Sequence, residues 1–99
     1  MSYDNKVARY LCSELVALKV GSTTSTVNLE EIWPEGAVLE AESAVEDGAH
    51  VEIRSGDVLL AGRVAGVELH EFGWRVEVVF SPLTRWDPEK FKPQHLLAL

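Results

Sequence analysis

The sequence predicts an all-β fold, a small six-stranded antiparallel β-barrel with short helical turns at its C-terminus. Apolar and polar residues alternate along several segments with the period of two that half-buried strands show. The connections between these segments are short and rich in Gly, Pro, Asp and Ser, which favour turns. One long segment also carries the internal glycines Gly62 and Gly66, which are typical of bends that curl a small sheet into a barrel.

The chain begins with a segment that has two interpretations. In residues 6–15 the apolar side chains recur at spacings of three and four, which fits a short helix, and an irregular arm is the alternative. Apolar alternation over residues 15–20 then predicts the first strand. The Gly, Ser and Thr residues at positions 21–25 predict a loop before the second strand.

The central segment VNLEEIWPEGAVLEA, residues 27–41, joins two apolar alternations across the turn WPEG. The adjacent carboxylates Glu30 and Glu31 interrupt the first alternation, which predicts either a β-bulge or the end of regular pairing. Pro34 fixes its own φ and Gly36 can adopt positive φ, so both residues favour a turn. We predict a hairpin here, and its turn is also a candidate edge of a ligand cleft.

The remaining strands follow the same pattern. Residues 50–54 and 58–71 alternate on either side of Ser-Gly-Asp, which predicts a tight hairpin. After the turn Phe-Gly, residues 74–80 show the cleanest apolar alternation in the sequence. We therefore expect this last strand to be the most buried one.

The tail of the chain contains residues that start and stop helical turns. Asp87 is a good N-cap and Pro88 suits the first helical position. Pro93 ends that turn and allows another at residues 95–97, so we predict one or two helical turns within residues 81–99. Four apolar side chains of the tail are expected to pack over one mouth of the barrel: Trp86, Phe91, Leu96 and Leu97.

A chain of 99 residues predicts a single domain, divided into an N-terminal arm (1–14), a barrel (15–80) and a C-terminal tail (81–99). The formal charge of −7 disfavours nucleic acid and anionic membrane surfaces as partners. Cys12 is the only cysteine, which excludes an intrachain disulfide and favours a reducing compartment. The sequence has neither a signal-peptide pattern nor a membrane-spanning apolar run, so we expect a cytoplasmic protein of bacterial type.

The order of these elements resembles that of PilZ domains. The resemblance extends from about residue 9 to residue 80 and is carried by strand order and by the strings NLEEIWPEGA and GWRVEVVF. It implies a six-stranded β-barrel of the split-barrel type, typically followed by a C-terminal helix. Many members of that family are receptors for cyclic di-GMP, so the resemblance implies a role in signalling by this second messenger.

The family's ligand signature is an arginine pair, R-x-x-x-R, followed by [D/N]-x-S-x-x-G on the next strand and turn. Arginines suit this task because they donate bidentate hydrogen bonds to phosphates and stack on guanine. The resemblance places Arg9 at the first arginine and Ser13 at the second. Setting Gly36 on the signature glycine places Trp33 at the serine and Glu31 at the Asp/Asn position. Each charge-assisted bond lost by these departures costs about 1.5–3 kcal/mol, so the resemblance implies a degenerate ligand site.

The resulting hypothesis is a non-enzymatic, PilZ-like adaptor without a cofactor, which acts through contacts with an unidentified protein partner. The arm at residues 9–13 and the turn at residues 31–36 form its expected functional edge, in which Trp33 either packs against the barrel or anchors a partner. One alternative is a direct cyclic di-GMP receptor with altered contacts. Another is a homodimer that covers the apolar ending LLAL. A small enzyme is the remaining alternative, but no nucleophile motif marks one and the three histidines lack the spacing of metal ligands.

Overall fold

The structure, a computed structural model, describes residues 9–98. Its strands are β1 (Tyr10–Val20), β2 (Thr23–Trp33), β3 (Gly36–Ala41), β4 (His50–Ser55), β5 (Val58–His70), β6 (Gly73–Phe80) and β7 (Leu97–Ala98). The first six pair antiparallel in the order β1-β2-β3-β6-β5-β4, and β4 pairs back onto β1, which closes the barrel. Strand β7 is added beside β1. The predicted all-β fold and six-stranded antiparallel barrel are therefore confirmed.

Local shifts in strand register accompany the curvature of this sheet. The register between β2 and β3 shifts between Leu29 and Glu31, where the adjacent carboxylates predicted a bulge. The register between β5 and β6 shifts between Val64 and Gly66, in the glycine-bearing part of the long strand. A third shift lies in β1 between Leu11 and Glu14, and no residue pattern predicted it. A β-bulge bends its strand and increases the local twist, which helps a short sheet to close.

The core fills the barrel with the inward-facing members of each alternation. Leu29, Leu39 and Val76 are fully buried there. The expectation that residues 74–80 form the most buried strand is wrong, because β3 has five of six residues buried and β6 has three of eight. Strand β3 lies between two longer strands, and its outward-facing Val38 is also buried, so both of its faces are covered.

The N-terminal arm differs from its prediction. Strand β1 begins at Tyr10, which pairs with Ile32 of β2 on one side and with Ala98 of β7 on the other. Because the backbone of this segment has partners on both sides, residues 10–14 form strand rather than a helix or an irregular arm. The barrel therefore starts before residue 15, while residues 6–8 lie outside the described part of the chain.

The connection between β1 and β2 also differs from its prediction, whereas the tail has the short helical turns that were predicted. The expected loop at residues 21–25 is a two-residue turn, with Gly21 at φ 61°, and strand β2 already begins at Thr23. The tail contains a 3₁₀ turn at Pro82–Thr84 and a single turn in which the amide of Lys90 donates to the carbonyl oxygen of Asp87 at 2.9 Å.

The tail closes one end of the core. Trp86 is buried, and Phe91 and Leu96 are partly buried against the same core cluster, as predicted. Leu97 is 62% exposed, so its predicted packing is wrong. The reason is that Leu97 belongs to β7 instead of a helical turn, and the pairing with β1 fixes its backbone while its side chain faces solvent.

Candidate functional site

The four residues that the resemblance singled out lie together on the outer face of the barrel. Ile32 points into the core and is fully buried, so the alternation of β2 directs Glu31 and Trp33 outward. Arg9 precedes Tyr10, the pairing partner of Ile32, and so reaches the same outer face beside Trp33. We call Arg9, Glu31, Trp33 and Gly36, together with Arg75 of β6, the outer cluster.

The guanidinium of Arg9 is held inside this cluster by two contacts. Its Cζ lies 3.9 Å from the centroid of the Trp33 ring, a cation–π geometry. Its Nη1 lies 3.6 Å from Oε1 of Glu31. Trp33 is only 6% exposed although it is not part of the interior core, because it packs against the outer surface of the sheet. Of the two readings of Trp33, the structure shows the packed one.

Glu31 also contacts a second arginine, which comes from a distant part of the chain. Nη2 of Arg75 lies 3.5 Å from Oε2 of Glu31, so the carboxylate is placed between two guanidinium groups. Sequence reasoning missed Arg75, since its position depends on the pairing of β6 with β3. Ser13, at the position of the second signature arginine, instead donates from its Oγ to Oδ1 of Asn28 at 3.4 Å.

Gly36 makes room for the Trp33 ring. A Cβ at this position would lie 2.5 Å from the carbonyl oxygen of Val78 and 2.8 Å from Cζ2 of Trp33. The turn before Gly36 is held by the C-terminal tail, because the amide of Trp86 donates a hydrogen bond to the carbonyl oxygen of Pro34 at 3.0 Å. The outer cluster is thus built on three neighbouring strands, the residue before β1 and a braced turn.

A pair of carboxylates lies next to the outer cluster. Burial raises the pKa of Glu30 above its usual value of 4.5, and a side-chain hydrogen bond with Glu40 raises it further, while Arg75 and Asn28 act in the opposite direction. Glu30 occupies the bulge of β2, where its side chain is half-buried.

This raised pKa predicts a pH-dependent effect of Glu30→Gln. A raised folded-state pKa contributes stability that is complete below about 4.5 and is lost as the pH rises through the raised value. The charged carboxylate is therefore unfavourable at neutral pH, and the variant should have a higher Tm at pH 7 than the parent. The gain should vanish when thermal melts are repeated below pH 4.5.

The matched control for this comparison is Glu46→Gln, which neutralises an exposed carboxylate in the loop before β4. Its effect on Tm should be small at pH 7. If the gain from Glu30→Gln were equally large at every pH, the raised pKa of Glu30 could not be its cause.

The sequence interpretation also missed a groove of about 840 Å³ that crosses the outer face of β1, β4, β5 and β6. Its lining includes the basic side chains of Lys19, His50 and Arg63. The tight hairpin between β4 and β5 was predicted, and its register places His50 directly opposite Arg63. The predicted three-residue turn Ser-Gly-Asp would have set His50 opposite Gly62, whereas the two-residue turn of the structure, with Ser55 paired to Val58, sets it opposite Arg63.

Residues 9–98 offer neither a metal-binding cluster nor an activated thiol. Residues 9–98 contain no group of three or more His, Cys, Asp or Glu side chains arranged to hold a metal ion. Burial raises the pKa of the Cys12 thiol to about 11, and the negative charge of Glu14 adds to this effect. Such a thiol is protonated at neutral pH and is a poor nucleophile. The same residues include no helix with the length and apolarity that crossing a bilayer requires.

Comparison with known proteins adds no family assignment. No model of a known protein family matches the chain, and no curated protein shows significant sequence similarity to it.

Proposed function

We propose that this chain is a non-enzymatic, PilZ-like adaptor in cyclic di-GMP signalling that acts through protein contacts. The observation that supports this proposal is that the Arg9 side chain is already bound by its own chain. Its guanidinium is stacked on Trp33 at 3.9 Å and paired with Glu31 at 3.6 Å within the chain itself. The one arginine that matches the family signature is therefore already engaged.

The engagement of Arg9 has a direct cost for a phosphate ligand. One face of its guanidinium is covered by Trp33, so stacking on a guanine base would require the two side chains to separate. The carboxylate of Glu31 lies beside the same guanidinium and would repel a phosphate placed there. Both effects favour the self-contained cluster over a bound dinucleotide.

An exposed apolar strip beside the outer cluster supports the adaptor role. Leu11 pairs with Glu31 and Leu15 pairs with Asn28, and both leucines are exposed on the outer face of β1. Leu15 is 70% exposed. Large aliphatic side chains in this position, bordered by charged groups, offer a partner protein a contact surface.

A direct cyclic di-GMP receptor with altered contacts is the second candidate. The observation in its favour is that Arg9 and Arg75 lie on either side of Glu31, at 3.6 and 3.5 Å. The sequence lacks the R-x-x-x-R pair, but the fold brings together one arginine from the residue before β1 and one from β6. Release of both arginines from Glu31 would present two guanidinium groups to phosphates.

Isothermal titration with cyclic di-GMP separates these candidates. The adaptor proposal expects no saturable binding below about 100 µM for the parent chain, because two or more charge-assisted bonds are missing. Glu31→Gln removes the carboxylate and retains both arginines, so it tests whether Glu31 is the group that blocks a ligand. Tight binding by the parent chain that is lost in Arg9→Ala would overturn the adaptor proposal in favour of the receptor.

The adaptor role also has to be tested directly, by capture of a partner protein. A protein captured from cells by the parent chain should no longer be captured by Leu15→Glu, and it should still be captured by Leu83→Glu. Leu83 is 92% exposed and lies in the 3₁₀ turn, away from β1, so it is a control of matched chemistry. Equal capture by both variants would contradict the proposed strip.

Light scattering of the parent chain tests the homodimer alternative, since a monomer has a mass of 11.0 kDa.

A further inference from the structure

We propose that the groove across β1, β4, β5 and β6 is a binding site for a small phosphorylated molecule of about mononucleotide size. This inference is independent of the adaptor role. The groove has a volume of about 840 Å³ and is lined by basic side chains from three different strands. Ligand pockets in proteins commonly measure roughly 300–1,000 Å³, so the space suits a ligand of that class.

The basic side chains converge because of strand register. His50 and Arg63 are directly opposite each other between β4 and β5. Their neighbours Val51 and Val64 are buried in the core, so both basic residues face outward into the groove. Directly opposite residues in an antiparallel pair have Cβ atoms about 4.5–5.5 Å apart, which allows an imidazole and a guanidinium to contact the same anion.

Lys19 extends this basic surface from the neighbouring strand β1. It is paired with Glu52, which lies two residues from His50 on the same face of β4. Diagonal neighbours of this kind have Cβ atoms about 7–8 Å apart, a distance that a lysine side chain can bridge. Among the described residues that line the groove, Glu52 is the one carboxylate, so the two positive charges of Lys19 and Arg63 exceed its single negative charge.

The positive charge of the groove stands out in an acidic chain. The formal net charge is −7, and the ion pairs within residues 9–98 use Arg9, Arg75 and Arg85 but neither Lys19 nor Arg63. Among the described residues that line the groove, two positive charges therefore face one negative charge, that of Glu52. At physiological salt the screening length is about 8 Å, so an anion in the groove interacts mainly with these nearby groups.

The floor of the groove consists of small residues and backbone. Ala61, Gly62 and Ala65 carry little or no side chain, and Val79 and Pro82 supply apolar surface. A Cβ at Gly62 would collide with the carbonyl oxygen of Val79, so the backbone of β5 approaches β6 closely there. The phosphate of a ligand would contact the basic side chains, and a flat, apolar part of the same ligand would pack on this floor.

Nuclear magnetic resonance titration with adenosine 5′-monophosphate tests the site in the full chain. The expected result is saturable shifts of backbone amides along the groove, with weaker binding at higher salt. Arg63→Ala and Lys19→Ala should each weaken binding about tenfold to a hundredfold, the loss of one charge-assisted hydrogen bond. Arg63→Lys should weaken it less, because the charge is retained without the planar donors.

The matched control is Arg54→Ala. Arg54 lies on β4, is exposed and has the same charge, but it does not line the groove. Its removal should leave the affinity unchanged within about twofold, which corresponds to less than 0.5 kcal/mol. The spectrum of each free variant shows whether the barrel is intact before any ligand is added.

Several outcomes would overturn the proposal. Absence of saturable shifts up to about 10 mM adenosine 5′-monophosphate would exclude a site of useful affinity. Equal weakening by Arg54→Ala and Arg63→Ala would show non-specific attraction to positive charge. Inorganic phosphate that binds as tightly as the nucleotide would contradict a ligand of mononucleotide size. Adenosine that binds as tightly would contradict recognition of the phosphate.

Discussion

Replacement of Trp86 by alanine is expected to lower the free energy of unfolding by about 3–5 kcal/mol, the range for a buried tryptophan. The side chain is 3% exposed, and its ring meets that of Tyr10 edge to face with centroids 5.4 Å apart. The Nε1 of Trp86 donates a hydrogen bond to the carbonyl oxygen of Phe91 at 2.8 Å. The variant removes this donor and leaves the oxygen of Phe91 without it. Urea unfolding at 25 °C, followed by circular dichroism, measures the change.

Leu83→Ala is the control for this prediction. Leu83 lies three residues earlier in the same tail and is 92% exposed, so its truncation should change stability by no more than about 0.5 kcal/mol. A loss below about 1 kcal/mol for Trp86→Ala would show that the tail is not an integral part of the core. The predicted difference between the two variants arises because one side chain closes the barrel and the other projects into solvent.

Gly36→Ala is expected to cost about 1–3 kcal/mol, the usual range for overpacking a well-filled site. The added methyl group would lie 2.5 Å from the carbonyl oxygen of Val78, a backbone atom, and 2.8 Å from the Trp33 ring. The backbone contact requires a strand to shift, and the indole must also move away, which would separate Arg9 from Trp33. Urea unfolding reports the loss of stability, and tryptophan fluorescence reports any new exposure of an indole.

Gly66→Ala separates this steric effect from the general effect of replacing a glycine. Gly66 lies within strand β5, beside a register shift, and the nearest atom to an added Cβ there is 3.9 Å away, an ordinary contact. The variant should be neutral or slightly more stable, because alanine restricts the unfolded chain. A similar loss of stability in both variants would rule out the Trp33 contact as the cause.

Much of the fold was predictable because it depends on local patterns. Apolar alternation indicated the six barrel strands, and adjacent carboxylates at Glu30 and Glu31 indicated a bulge that the structure contains. The beginning of β1 was not predictable in this way. Its residues fit a helical spacing equally well, and the choice between helix and strand was made by pairing with β2 and with the distant β7.

The outer cluster shows the same division between local and non-local information. Glu31, Trp33 and Gly36 are close in sequence, and the resemblance also directed attention to Arg9. Arg75 was missed because its contact with Glu31 depends on the registers of both β2–β3 and β3–β6. The groove was missed for a similar reason, since its basic residues come from three strands and none of them belongs to a recognisable motif.

The pairing of β7 with β1 has a consequence for how this domain can be joined to other chains. Because Tyr10 is paired with Ala98, the polypeptide enters and leaves the barrel at neighbouring points. A short linker could therefore connect these points and allow new ends to be opened at a surface turn, such as the one at Gly56. Any fusion attached at either point would also emerge next to Arg9 and could obstruct access to the surface around it.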